Sequence, residues 1–369
     1  MFKKKSLSLA CLSLTFISFQ NFTYIQHNSS SSNHYDMTTC NTSFDGGYDI
    51  FVVAGQSNAV GSGKGHTSEN KSFLRPEILE NICQISGRIK NDNQIQIIDA
   101  GSTELQHVSY NNDGNRGFAV SFARRYVRDV LKPGRKILLI PVALGSTSIL
   151  AWDQKIQDLS GYADNSDLFD NMSFRVQKAL LQNSKNELKG VFWQQGEADI
   201  MAMSGGSKWH PVLEGTDDDV FYNSSAYWNS NEYFNFRSRI HRIKLKQLYT
   251  SLNKRFCLTK GEEDCFAFLL GRPVYDWKTW NVNYINASGE EVNITRDVSL
   301  AHAELVSIYE NLAAEKDNIR VIDTRFLKSN ADVKQATSGH GDNYHFSSEG
   351  LRLLGHRYFI EFIDLLEGR

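Results

Sequence analysis

The sequence predicts an α/β fold: a three-layer α/β/α sandwich around a mainly parallel, five-stranded sheet. Three observations predict it. Short apolar runs rich in β-branched residues recur along the chain, as expected of strands buried on both faces. Amphipathic stretches of helical period stand between them, so consecutive strands are joined by crossovers and run parallel. Several runs stop abruptly at Gly, Ser, Asn or Gln, where an open α/β sheet presents its ligand-facing loops. No internal repeat interrupts this alternation, and one domain spanning residues 47–369 is expected.

Composition narrows the class. The chain has 369 residues, 41% hydrophobic, which is enough for a sizeable core. Lys plus Arg is 40 and Asp plus Glu is 42, a formal net charge of −2. That balance excludes a nucleic-acid binder driven by a basic face. No structural zinc spacing, GxxxxGK[ST] loop or GxGxxG fingerprint occurs.

The N-terminus reads as an export signal. Lys3-Lys4-Lys5 precedes an apolar, Ser/Thr-mixed run from Leu7 to Phe19 that is too short to span a bilayer. Residues 1–25 are therefore expected to be a signal peptide, and 26–46, polar and Ser/Asn-rich, a linker. No later stretch is apolar and long enough for a membrane helix, so a secreted or periplasmic location is expected. Four cysteines remain beyond the leader: Cys40, Cys83, Cys257 and Cys265. In an exported chain they suggest two disulfides, with Cys257 and Cys265, which flank a short polar segment, the favoured pair.

In chain order, Ile50–Ala54 is the first buried strand, and it delivers Gly55-Gln56-Ser57-Asn58. Ile95–Asp99 is a short strand candidate. Phe118–Leu131 has the apolar spacing of a helix with one buried side, stopped by Pro133-Gly134. Ile137–Leu144 is the second buried strand and ends at Gly145-Ser146-Thr147-Ser148. A helix over Asp170–Leu181 follows. Gly190–Gln194 is the third strand and runs into Gln195-Gly196-Glu197-Ala198-Asp199. Residues 201–231, rich in Gly, Asp, Asn and Trp, read as a long substrate-side loop. Phe234–Leu252 is a basic helix whose charges (Arg237, Arg239, Arg242, Lys244, Lys246) read as a solvated face. Phe266–Gly271 and Ile319–Asp323 supply the fourth and fifth strands, with a helix over Leu300–Lys316 between them. Asp342-Asn343-Tyr344-His345-Phe346 then leads into a helix over Ser348–Leu366.

Several loop ends thus converge. A serine hydroxyl needs a base to take its proton, and that base needs a carboxylate to fix its tautomer. Ser57, His345 and Asp342 supply the three parts. An acyl-transfer oxyanion also needs fixed donors. The Ser57 and Gly145 backbone N–H groups and the Gln195 side-chain amide are chemically suited. Glu197 and Asp199 read as structural residues that hold their loop, and Asn58 as a supporting turn or helix-start residue rather than a donor.

These blocks resemble the SGNH hydrolase superfamily, in its sialate O-acetylesterase and plant-type acetylxylan esterase branch. Gly55-Gln56-Ser57-Asn58 matches the nucleophile block, and Gly145-Ser146-Thr147-Ser148-Ile149 with Trp152 is similar to the second block. Gln195-Gly196-Glu197-Ala198-Asp199 matches Gln-Gly-Glu-x-Asp, and Asp342-Asn343-Tyr344-His345 matches the terminal Asp-x-x-His. The second glycine of the family's second block is Ser146 here. The resemblance implies Ser57 as nucleophile, His345 as general base, Asp342 as its orienter, and Ser57, Gly145 and Gln195 as the oxyanion hole. It implies an O-acetylated carbohydrate substrate, sialic acid or another acetylated glycan, and no metal or organic cofactor.

Two other readings stand beside it. A lipid or thioester hydrolase on the same fold predicts an apolar acyl channel, whereas the 201–231 segment is polar with Trp209, Tyr222, Tyr227 and Trp228. A non-catalytic carbohydrate-binding protein does not require Ser57, Asp342 and His345 together.

Overall fold

The computed structural model describes residues 40, 44–65, 76–86, 95–100, 105–107, 117–153, 168–205, 230–258, 261–285, 291–335 and 339–369. The expected leader, most of the linker and most of the 201–231 loop lie outside these residues.

Strand β1 (Tyr48–Gly55) is buried along its whole length, as its apolar sequence requires. A four-residue helix, α1 (Ser57–Val60), follows at once, and α2 (Pro76–Leu79) comes after it. Then come β2 (Ile82–Ile85), β3 (Ile97–Asp99), α3 (Phe118–Asp129) and β4 (Lys136–Pro141). A 3-10 turn at Ile149–Trp152 precedes α4 (Leu168–Gln182), β5 (Glu187–Gln194), α5 (Glu197–Met203) and the long α6 (Asn231–Phe256). The rest of the main sheet is β6 (Ala267–Gly271) and, after the hairpin β7 (Thr279–Ile285) and β8 (Glu291–Asp297) and helix α7 (Ser299–Ala314), β9 (Ile319–Ile322). A small antiparallel pair, β10 (Lys334–Gln335) and β11 (Gly339–His340), leads to the final helix α8 (Ser348–Leu366).

The central sheet has seven strands in the order β3-β2-β4-β1-β5-β6-β9, which corrects the five-stranded expectation. All neighbours are parallel except β3, which runs antiparallel to β2 at the edge. The extra strand β2 reads Ile-Cys-Gln-Ile, too short and too polar to show as an apolar run. Pairing with β4 and the Cys40–Cys83 disulfide hold it in the sheet. The favoured Cys257–Cys265 pair is also present. The hairpin β7–β8 likewise gives no apolar signal, because its register pairs polar positions such as Asn281 with Thr295.

Helices cover both faces of the sheet. Adjacent residues on a strand face opposite sides, and β5 uses this with large aromatics. Phe192 packs with Phe51, Phe122 and Tyr358 toward α3 and α8, while Trp193 meets Trp152 and Phe268 on the other face. Helices α3 and α8 pack tightly because Gly355 has no side chain. A Cβ there would lie 2.1 Å from the Phe118 carbonyl oxygen. With β1 at the centre of a parallel sheet, the carboxyl ends of β4, β1, β5, β6 and β9 form one edge.

Candidate active site

Ser57 sits where β1 stops. Gly55 turns the chain with φ of +133°, and a Cβ there would be 2.0 Å from the Gln194 carbonyl oxygen, so only glycine fits. The Gln56 N–H donates to that carbonyl at 3.0 Å and pins the turn to β5. Ser57 is then the first residue of α1, half-exposed on the carboxyl edge of the sheet.

The C-terminal loop brings the other two groups. His345 Nε2 is 2.7 Å from Ser57 Oγ, and His345 Nδ1 is 3.0 Å from Asp342 Oδ2. The carboxylate can only accept, so Nδ1 carries the proton and Nε2 is left to accept from the serine hydroxyl. Asp342 Oδ1 also accepts the backbone N–H of His345 at 2.8 Å and of Tyr344 at 3.3 Å. Burial pushes the Asp342 carboxyl up, but its bonds from His345 and Asn330 outweigh this and hold it below the usual range. A hydroxyl, an imidazole and a carboxylate in this series can remove a proton from Ser57 and return it.

Gly145 lies beside this pair. A Cβ built on it would be 3.9 Å from Ser57 Cβ. Among the described residues the N–H groups of Ser57 and Gly145 have no hydrogen-bond partner, so both are free for an oxygen at Ser57. Ser146, which replaces the family's second glycine, takes φ of +59°.

Gln195 is a correction. It is fully buried, and its Nε2 donates to the Thr147 carbonyl at 2.6 Å and to Gln56 Oε1 at 3.1 Å. Both amide hydrogens are committed, so Gln195 fixes the 145–148 turn against the Gln56 side chain rather than donating to an oxyanion. The reason is tertiary: β4 and β5 flank β1, which brings the two loops close enough to bond each other.

Asn58 and Glu197 join the loops. Asn58 is fully buried, with Nδ2 donating to Glu197 Oε1 at 2.5 Å and to the Tyr344 carbonyl at 3.0 Å. Its Oδ1 accepts from the Phe346 N–H at 3.0 Å. Burial raises the Glu197 carboxyl to about 7, against the Asn58 hydrogen bond, which lowers it.

Asp199 holds the second loop from behind. Its Oδ2 accepts the Ile149 N–H at 2.9 Å, four residues beyond Gly145, and its Oδ1 pairs with Arg237 at 3.2 Å. His241 Nδ1 stands 3.4 Å from the same carboxylate. Arg237 therefore corrects the solvated-face reading of α6, being only 2% exposed. The signal was in the sequence: 237, 241, 245, 248 and 252 form one helical stripe that continues into Leu245, Leu248 and Leu252. Asn330 carried no such signal. It donates to the Ser62 carbonyl, accepts from Lys64 N–H and reaches Asp342 Oδ2 at 3.5 Å, tying the acid to the segment after α1.

Residues 47–216 match the family described as carbohydrate esterase, sialic acid-specific acetylesterase. The matched family agrees with the branch that the sequence blocks resemble. No curated protein matches the chain. Among solved structures, the crystal structure of NanS is 17% identical, covers 88% of this chain and 99% of its own, and has a TM-score of 0.49. A protein from Arabidopsis thaliana is 15% identical over 86% of this chain and 98% of its own, with a TM-score of 0.49. A carbohydrate acetylesterase from Xanthomonas citri is 16% identical over 87% of this chain and 57% of its own, with a TM-score of 0.43.

Proposed function

We propose that this chain is an exported serine esterase that removes O-acetyl groups from a carbohydrate, sialic acid or another acetylated glycan. The observation that carries the reading is the 2.7 Å contact of His345 Nε2 with Ser57 Oγ, in line with Asp342. Ser57 Oγ attacks the acetyl carbonyl carbon as its proton passes to His345 Nε2. The carbonyl oxygen becomes an oxyanion facing the free N–H groups of Ser57 and Gly145. Collapse breaks the bond to the sugar oxygen, which takes the proton from Nε2 and leaves as the alcohol. Water, deprotonated by His345, then attacks the acetyl-serine and releases acetate.

Asn58 and Glu197 act as supports in this scheme, and Gln195 holds the Gly145 turn. Two disulfides support export, since they persist in oxidising compartments. No helix among the described residues is long and apolar enough to cross a membrane.

The experiment is acetate release from O-acetylated sialic acid, acetylated xylan and 4-nitrophenyl acetate and butyrate, with wild type beside Ser57→Ala. Acetyl-selective turnover that drops on the order of 10⁶-fold in kcat is expected. Equal rates in the two proteins, or release from none of the esters by folded wild type, would overturn the reading and leave a binding protein.

A further inference from the structure

Two turns on the carboxyl edge of the sheet present aromatic side chains to solvent. Tyr275, in the turn after β6, is 47% exposed, and Phe326, in the turn after β9, is 88% exposed. Single exposed apolar residues are ordinary. Phe326 differs in its backbone, which takes φ of +65°. A bulky residue in the left-handed region is strained, and such strain persists only where the surroundings over-determine it.

The surroundings do so here. Thr324 is fully buried, and its Oγ1 donates to the Pro273 carbonyl at 2.7 Å, stitching the two turns together. Leu327 is buried and its N–H returns to the Thr324 carbonyl at 3.2 Å. The Arg357 guanidinium clamps both sides of the turn, donating to the carbonyls of Asp323 and Arg325 at 2.7 Å each. The turn is thus rigid, yet the one side chain it strains is thrown outward. Arg325, next to Phe326 in the chain, is paired with Asp323 at 2.7 Å. Aromatic faces therefore sit beside charged hydrogen-bonding groups.

Both turns connect to the catalytic loop. The Trp277 ring, two residues beyond Tyr275, is 5.7 Å from Tyr344, whose ring is 4.5 Å from His345. Ser329, three residues beyond Phe326, bridges to Phe346. Because β1, β6 and β9 are parallel, Ser57, Tyr275 and Phe326 follow strand ends on one edge.

We propose that Tyr275 and Phe326 form an aromatic platform that takes a pyranose ring of the glycan chain, away from the acetylated position that Ser57 attacks. A sugar ring has apolar C–H faces edged by hydroxyls, which suits flat aromatics flanked by Arg325 and Asp323. The platform rests on the esterase reading for its substrate, and it deepens that reading by assigning the surface that selects a glycan over a bare acetyl ester.

The test uses the full chain and the variants Phe326→Gly and Tyr275→Ala. The ratio of kcat/KM for acetylated xylo-oligosaccharides or an O-acetylated sialoside to that for 4-nitrophenyl acetate should fall on the order of 10-fold, through KM. Phe326→Gly should at the same time raise Tm, because glycine relieves the left-handed strain. A ratio within twofold of wild type in both variants overturns the platform. So does a dimer that Phe326→Gly dissolves while the ratio holds, which assigns the face to a second copy of the chain. Calorimetric titration with deacetylated xylo-oligosaccharide separates this inference from the esterase reading. Binding weakened by either variant supports the platform even if no ester is turned over, and equal Kd in all three proteins overturns it.

Discussion

Asn58 brackets His345. Its side-chain amide donates to the carbonyl of Tyr344 and accepts from the N–H of Phe346, both at 3.0 Å, so the residue after the serine grips the backbone on either side of the histidine. The two residues are 287 positions apart in the chain, yet one buried amide sets Ser57 and His345 in register. Asn58→Leu, similar in size, would leave buried groups of Tyr344, Phe346 and Glu197 unpaired, at about 1–3 kcal/mol each. Loosening the base should lower kcat roughly 10²-fold. Steady-state kinetics and a melting curve check this, and a kcat within twofold of wild type would remove Asn58 from the scheme.

Asp342→Asn should lower kcat about 10⁴-fold, because an amide at that position can donate to Nδ1 and favour the wrong tautomer. The same change bears on stability in acid. The folded carboxyl lies below its unfolded value, so its contribution is present above the unfolded pKa and is lost as pH falls through the folded one. Wild type should therefore lose stability in acid more steeply than Asp342→Asn. Parallel acid-unfolding curves would contradict the assignment.

Glu197 behaves in the opposite sense. Its folded pKa, about 7, is raised from the ordinary 4.5 by burial. Stability from the protonated form is fully present below the unfolded pKa and is lost as pH rises through the folded one. Glu197→Gln keeps an acceptor for Asn58 and does not titrate. Its stability relative to wild type should rise between about pH 4.5 and 7, by up to about 3 kcal/mol. Urea unfolding across that range is the measurement, and a constant difference would show that the carboxyl does not titrate there.

The Asp199–Arg237 pair is a test of buried charge. Asp199→Ala leaves Arg237 buried without its carboxylate and frees the Ile149 N–H, which should cost roughly 3–5 kcal/mol. Asp199→Leu with Arg237→Met should cost less than Asp199→Ala alone. A double-mutant cycle with no coupling would mean that the pair is not the unit described.

The two disulfides should differ in worth. Cys40–Cys83 closes 43 residues and Cys257–Cys265 closes 8. Loop closure in the unfolded chain gives about 4 kcal/mol for the first and about 2.5 for the second. Melting of the paired Cys→Ser variants checks the order, and the reverse order would count against the entropic account.

The order of residues along the chain reveals the layered α/β class, six of the seven main strands and the cysteine pair that lies closest in the chain. It also marked Ser57, Gly145, Asp342 and His345, because apolar runs and the small residues that end them are local patterns. Features that depend on contacts between distant segments emerge with folding. Strand β2 is polar enough to need its neighbours and a disulfide to exist as a strand. Gln195 looked like a free donor until β4 and β5 came to flank β1 and its amide met Thr147 and Gln56. Arg237 looked like a surface charge until α6 turned that face inward onto Asp199. A side chain's type can be read from one position, but which hydrogens it has left to give depends on residues that only folding brings near.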